Sequence, residues 1–275
     1  MRQTYPELAT EHFENTRAGL HSFARLLGAY SSACAPRRKH WWHISLRPVV
    51  DGFCTGVLQN NDRLFELVLN FRSLTIELIV AGEPRQDFSI QGETAASMKD
   101  KLATVLSGHS ILIDLDASKI DSGRHEIDPE SSSRLAEVYG RLAQCFARFR
   151  SGLAVETSPI QLWPHHFDLA MLVLTGRKIQ GQDPANEEYS DEQLNFGFVP
   201  GDDGIREPYF FITLYADSER LVEVSLPDEA YFHHEGWSGI VMPYDSFRQN
   251  PQAESMLIRL WQSAWMTASE ETSND

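Results

Sequence analysis

Hydrophobic positions change period several times along the chain, and each change marks an element. Over residues 7–35, Leu8, Phe13, Leu20, Phe23, Leu26, Leu27 and Tyr30 recur at steps of three and four. That spacing predicts a helix, weakened by Gly19 and Gly28 and ended by Pro36. From Trp42 the period drops to two. Trp42, Ile44 and Leu46 point one way, and His43, Ser45 and Arg47 the other. Past Gly52 and Gly56 and an Asn60-Asn61-Asp62 turn, Phe65, Leu67, Leu69 and Phe71 predict a second strand, and Leu74, Ile76, Leu78 and Val80 a third. Only Arg72 and Ser73 separate them, so the pair should be an antiparallel hairpin. A helix over 93–107 carries Met98, Leu102, Val105 and Leu106, and 111–115 reads as a short strand.

Residues 116–130 have the least regular pattern, with Ile120 and Ile127 as their strongly apolar positions. Pro129 then opens a helix to about residue 151, bearing Leu135, Val138, Leu142, Cys145, Phe146 and Phe149. Further strands are expected near 159–175, 208–215, 221–226 and 237–243. A last helix spans 252–268 and buries Met256, Leu257, Leu260, Trp261, Ala264 and Trp265. The tail from Glu270 is expected to fray. Each half runs helix, antiparallel strands, helix. The reading is an α+β protein: antiparallel sheet with helices packed on it, two pattern-similar halves (1–115 and 131–269) forming one unit and a single domain over 1–275.

Composition narrows the class. The chain has 275 residues, 42% of them apolar, with 24 Lys and Arg against 39 Asp and Glu, a formal charge of −15. Such an excess of acid argues against a nucleic-acid partner and against adhesion to an anionic membrane surface. Cys34, Cys54 and Cys145 are odd in number, widely spaced and without a CxxC pair, as a reducing compartment permits. Charges at Glu7, Glu11, Glu14, Arg17 and Arg25 interrupt any signal-peptide core, and no apolar run is long enough for a membrane span. A cytoplasmic location is therefore expected.

No GxGxxG, GxxxxGK[ST], GxSxG or HExxH occurs, so no cofactor is identified and catalysis is left open. Cys145 lies on an apolar helical stripe, where burial makes a thiol inert. Two histidine doublets remain. Beyond Pro164 the chain should be extended, which would put His166 and Asp168 on one face; at the second doublet, His233 and Glu235 would share a side. His166, Asp168, His233 and Glu235 fit a loose metal-ligand set. Alternatively, His43 or His166 exchanges protons while Asp168 fixes the imidazole tautomer. The commonest role for such pairs is a hydrogen-bonded network that fixes strand ends. Trp41 and Trp42 beside Arg47, with Tyr209 on a strand apolar on both faces, could line a small-molecule pocket or close the core. Asp202 and Asp203 lack the spacing of a calcium loop.

The segments Lys39-His40-Trp41-Trp42-His43-Ile44-Ser45-Leu46, Ser158-Pro159-Ile160-Gln161, Phe167-Asp168-Leu169-Ala170 and Gly197-Phe198-Val199-Pro200-Gly201 resemble a family of bacterial proteins of unknown function. The resemblance runs along nearly the whole chain and carries no reaction. It departs at His165 and His166, where relatives have small or aromatic residues, and so favours Asp168 and His43. Two functional classes follow: a protein binding a small molecule in a His/Asp/Trp-lined pocket, with acid–base or metal chemistry open to it, and a non-catalytic interaction protein, such as a homo-oligomer.

Overall fold

The computed structural model describes residues 4–270 and divides them into two units that interleave along the sequence. The fold class is α+β, with antiparallel sheet and packed helices. No helix among the described residues is long and apolar enough to cross a membrane.

The first unit comprises Leu8–Arg141 and Gln161–Phe167. Helix α1 (Phe13–Cys34) buries Leu20, Phe23, Leu27 and Tyr30, the stripe its spacing predicts. Six short strands follow: β1 (Arg47–Val49), β2 (Gly52–Cys54), β3 (Leu58–Asn60), β4 (Arg63–Asn70), β5 (Thr75–Val80) and β6 (Gln86–Ser89). They form one antiparallel sheet in the order β1-β2-β4-β5-β6, with β3 also on β4. The predicted hairpin is β4–β5, Asn70 facing Thr75. Asn70 Oδ1 accepts the N–H groups of Arg72 and Ser73, and Leu74 turns the chain with φ 53°. Helix α2 (Ala95–Gly108) has a capping box in which Thr94 and Ser97 satisfy each other's N–H groups. Helix α3 (Pro129–Ser151) begins in this unit and continues into the other, with the bounds expected from Pro129. Strand β7 (Gln161–Trp163) meets the segment before β1 at the Leu46–Leu162 bridge.

The second unit contains residues 4–7, 142–160 and 168–270. Strand β8 (Asp168–Lys178) and a short helix α4 (Glu187–Ser190) precede β9 (Asp191–Val199); β10 (Tyr209–Tyr215), β11 (Tyr231–His233) and β12 (Gly239–Pro243) follow. These strands are antiparallel in the order β11-β12-β10-β9-β8. Helices α5 (Tyr244–Gln249) and α6 (Ala253–Ser269) complete the unit. One sheet face, with Phe196, packs on the helical layer. The Trp261 ring stacks on Phe146 at 4.4 Å, and Phe149 meets Phe196 at 5.0 Å.

Four expectations change. Residues 42–45 are not a strand: His40 (φ 49°) and Trp41 (φ 60°) are left-handed, Ile44 N–H closes a turn onto the Trp41 carbonyl, and pairing starts with the Leu46–Leu162 bridge just before β1. Residues 111–115 are irregular because Leu112 N–H is taken by the Asn60 side chain instead of a strand. Residues 218–223 form a 3-10 turn in place of a strand over 221–226. The expected strand at 159–175 is two strands with a turn between them, where Phe167 N–H returns to the Trp163 carbonyl at 2.7 Å.

Candidate functional site

In the second unit, register decides which residues meet. Ala170 pairs with Gly197 and Phe211 with Gly197, while Tyr209 pairs with Val199 and Pro243. Side chains directly opposite share a face, and alternation puts Asp168 on the face of Ala170, Gly197, Tyr209 and Phe211, away from the helical layer. Gly197 is needed there: a Cβ would fall 2.2 Å from the Phe211 ring. Trp237 extends the same surface, its ring 6.4 Å from both Tyr209 and Phe211 and 4.6 Å from His233.

Two carboxyl groups stand at this end of the sheet in opposite circumstances. Asp202 is fully engaged. Its Oδ1 accepts the N–H groups of Gly204 and Ile205, each at 2.8 Å, and its Oδ2 accepts the Tyr209 hydroxyl at 2.6 Å. Asp168 is only 4% exposed, and its Oδ1 has no hydrogen-bond partner among the described residues. Burial pushes the Asp168 carboxyl up to about 7, against a bond from its own backbone N–H that lowers it and with the charge of Asp202 that adds to the rise. Burial and the bond to Asp202 likewise raise the Tyr209 hydroxyl, and the Asp168 charge adds to the effect. Elsewhere on the same sheet a buried acid is compensated: Glu192 pairs with both Arg177 and Arg220. On the neighbouring strand β9 the amide oxygens of Gln193 and Asn195 are buried without a hydrogen bond as well, so what sets Asp168 apart is the raised carboxyl and not the missing partner alone. A carboxyl that moves between acid and base near neutrality can donate or accept a proton for a bound molecule.

The other predicted residues are placed as follows. His43, Trp41, Trp42, Arg47 and His166 belong to the first unit, and Asp168, Tyr209, His233 and Glu235 to the second. His166 and Asp168 do not share a strand face, because 164–167 turn instead of extending. The His166 ring packs 4.3 Å from His165, while the nearby His21 bonds the Pro164 carbonyl and stacks on Phe167 at 5.2 Å. His43 stacks on Trp41 at 5.6 Å and accepts the Arg38 N–H; burial, then Arg37 and Arg38, lower its pKa. Arg37 lies over Trp41 at 5.3 Å. No hydrogen bond or ring contact among the described residues joins His43 to His166. Trp42 stacks with His40 and leaves its buried Nε1 without a hydrogen bond. The Arg47 guanidinium lies against Gly56, where a Cβ would come 2.9 Å from Arg47 Cζ.

His233 and Glu235 do not act as a side-by-side pair either. The chain bends after β11, and His233 Nε2 lies 2.8 Å from the Glu235 carbonyl oxygen. Among the described residues, no three His, Cys, Asp or Glu side chains converge as a metal-ligand set. Sequence reasoning missed Asp202 as a partner of Tyr209 and Trp237 as a wall. The first was visible as an acid in a Gly-flanked loop seven residues before a tyrosine, the second as an indole just past the second histidine doublet.

The chain belongs to a family of unknown function, DUF5996, whose pattern matches residues 5–275. The expected membership of a family of unknown function therefore holds, over nearly the whole chain. No curated protein and no solved structure matches the chain.

Proposed function

We propose that this protein binds a small molecule on the Asp168–Tyr209–Trp237 face of the second unit, and that Asp168 is its proton-exchanging group. One observation carries the reading: a fully buried carboxyl with an unpartnered oxygen, raised to about 7. An unsatisfied buried polar atom costs about 1–3 kcal/mol, so its retention asks for a use beyond packing. Tyr209, held by Asp202, and the indole of Trp237 supply a polar end and an aromatic wall, the usual make-up of a small-molecule site. Within this reading Asp168 donates its proton to the bound molecule or takes one from it, and Asp202 positions the Tyr209 hydroxyl. His43 and His166 have no part in it. Free thiols at Cys34, Cys54 and Cys145 support a reducing, cytoplasmic setting.

A thermal-shift screen of small polar and aromatic compounds against the full chain, repeated with Asp168→Asn and Tyr209→Phe, tests the reading. A ligand present at about 100 times its Kd should stabilise the native chain by about 2.7 kcal/mol. The expected outcome is stabilisation of the parent chain, lost in both variants, while ligand-free Asp168→Asn melts cooperatively near the parent. Equal stabilisation of parent and Asp168→Asn overturns the site, as does a screen in which nothing stabilises the parent. If ligand-free Asp168→Asn fails to fold, the carboxyl belongs to the architecture and the reading is wrong.

A further inference from the structure

The segment 116–130, the least regular in the sequence, borders an open cleft of about 660 Å³ in the first unit. One wall is the start of α1, with His12 and Asn15; another is Gln91 and Gly92, just ahead of α2; the third is 124–129, leading into α3. Three contacts lay this loop down. Asp128 N–H donates to Thr16 Oγ1 at 2.9 Å, and the Asp121 carbonyl accepts Ala96 N–H at 3.0 Å. At Gly19, a Cβ would stand 2.7 Å from Ile127 Cγ1 and 3.1 Å from His125 Cβ, so only a glycine in α1 lets the loop approach this closely.

So placed, the loop presents a histidine–carboxylate pair. His125 Nε2 lies 3.1 Å from Asp121 Oδ2, and Gly123 N–H donates to Oδ1 at 2.8 Å. Burial works against the Asp121 charge, but the Gly123 N–H, His125 and Arg25 outweigh it and keep the carboxyl below its ordinary value. With Nε2–H donating to Asp121 the imidazole is oriented, and Nδ1 is left to donate to an oxyanion when the ring is the imidazolium, the form that a bound anion favours. The adjacent Arg124 is exposed and makes no hydrogen bond or ion pair among the described residues; the charge it acts on is Glu93, whose carboxyl it helps to lower after Lys101 and Ser97. On the far wall, His12 stands just before α1 and its side chain makes no cap hydrogen bond; the first N–H of the helix, at Phe13, goes to the Thr10 carbonyl at 3.1 Å. Of the two acids on the lining, Asp128 is spent on the first turn of α3, accepting Ser131 N–H at 2.7 Å, and Glu126 is exposed.

We propose that this cleft binds a small molecule bearing an oxyanion, a carboxylate or a phosphate, with Arg124 supplying the charge and His12 and His125 the directed hydrogen bonds. One guanidinium and two imidazoles face the cleft beside Glu126 and Asp128, so a bound oxyanion would offset part of the charge that its cations leave exposed. Guanidinium binds planar oxyanions through paired N–H groups, and imidazole adds a directional donor.

The test uses the full chain with ¹⁵N-labelled histidine, titrated separately with inorganic phosphate and with acetate at constant ionic strength. The expected result is saturable movement of the His12 and His125 ring signals with at least one anion; the one that saturates at lower concentration identifies the headgroup. Arg124→Ala, at an exposed position, should weaken that titration by about tenfold or more and leave the ligand-free His125 tautomer unchanged. Absence of saturable movement with both anions overturns the proposal, and so does an Arg124→Ala chain that titrates like the parent. Asp168 lies in the other unit, so either result is independent of the preceding reading.

Discussion

At the residue scale, Asp168 links proton binding to folding. Its carboxyl is raised to about 7 in the folded chain, against an ordinary value near 3.9. Between those limits the folded state holds a proton that the unfolded state has released. The stability this group contributes is therefore complete below about pH 4 and lost as pH rises through about 7. The upper bound is on the order of 4 kcal/mol. His21 and His165 act in the same window with the opposite sign. Burial lowers each to about 4, so their contributions are lost as pH falls from about 6.5. The parent curve alone therefore mixes these groups, whereas the difference between parent and Asp168→Asn cancels the histidines. Urea unfolding at pH values from 4 to 7.5 should show Asp168→Asn gaining on the parent by a few kcal/mol as pH rises. Parallel curves would mean that Asp168 ionises at its ordinary pH.

At the scale of elements, apolar periodicity was legible wherever one face is buried against a single layer. Helices α1, α3 and α6 and the β4–β5 hairpin lie within a few residues of where their stripes put them. Strand β9 was not seen. Leu194, Phe196 and Phe198 do alternate, but Asp191, Glu192 and Gln193 open it and Asn195 and Gly197 fill the other face. Polarity there reads as loop, although Glu192 is neutralised by two arginines and Gly197 is reserved for the Phe211 ring. Conversely, the alternation at 42–46 is real and a strand over 42–45 is not, since five residues cannot distinguish a strand from a turn built on left-handed His40 and Trp41. Gly19 teaches the reverse lesson: read as a flaw in a helix, it is where the 125–127 loop seats. Gly19→Ala should cost about 1–3 kcal/mol by overpacking, despite the better helix propensity of alanine. Chemical denaturation measures this, and a neutral or stabilising change would contradict the close approach.

At the scale of the whole molecule, the acidic balance names no partner, and family membership over residues 5–275 fixes kinship without a reaction. Asp168 was legible as a candidate from its place in the Phe-Asp segment. Its expected partners were not, because contacts are set by strand register and not by sequence spacing: Asp202 and Tyr209 stand with Asp168, whereas the extended run expected to join His166 to it is a turn. One carboxyl, that of Asp168, is thus central to the proposed function. Its most direct test is the pH titration of the Asp168 side-chain carboxyl carbon by ¹³C NMR in the full chain, assigned with Asp168→Asn. A midpoint near 7 is predicted. A midpoint at the ordinary aspartate value of about 4 would contradict it.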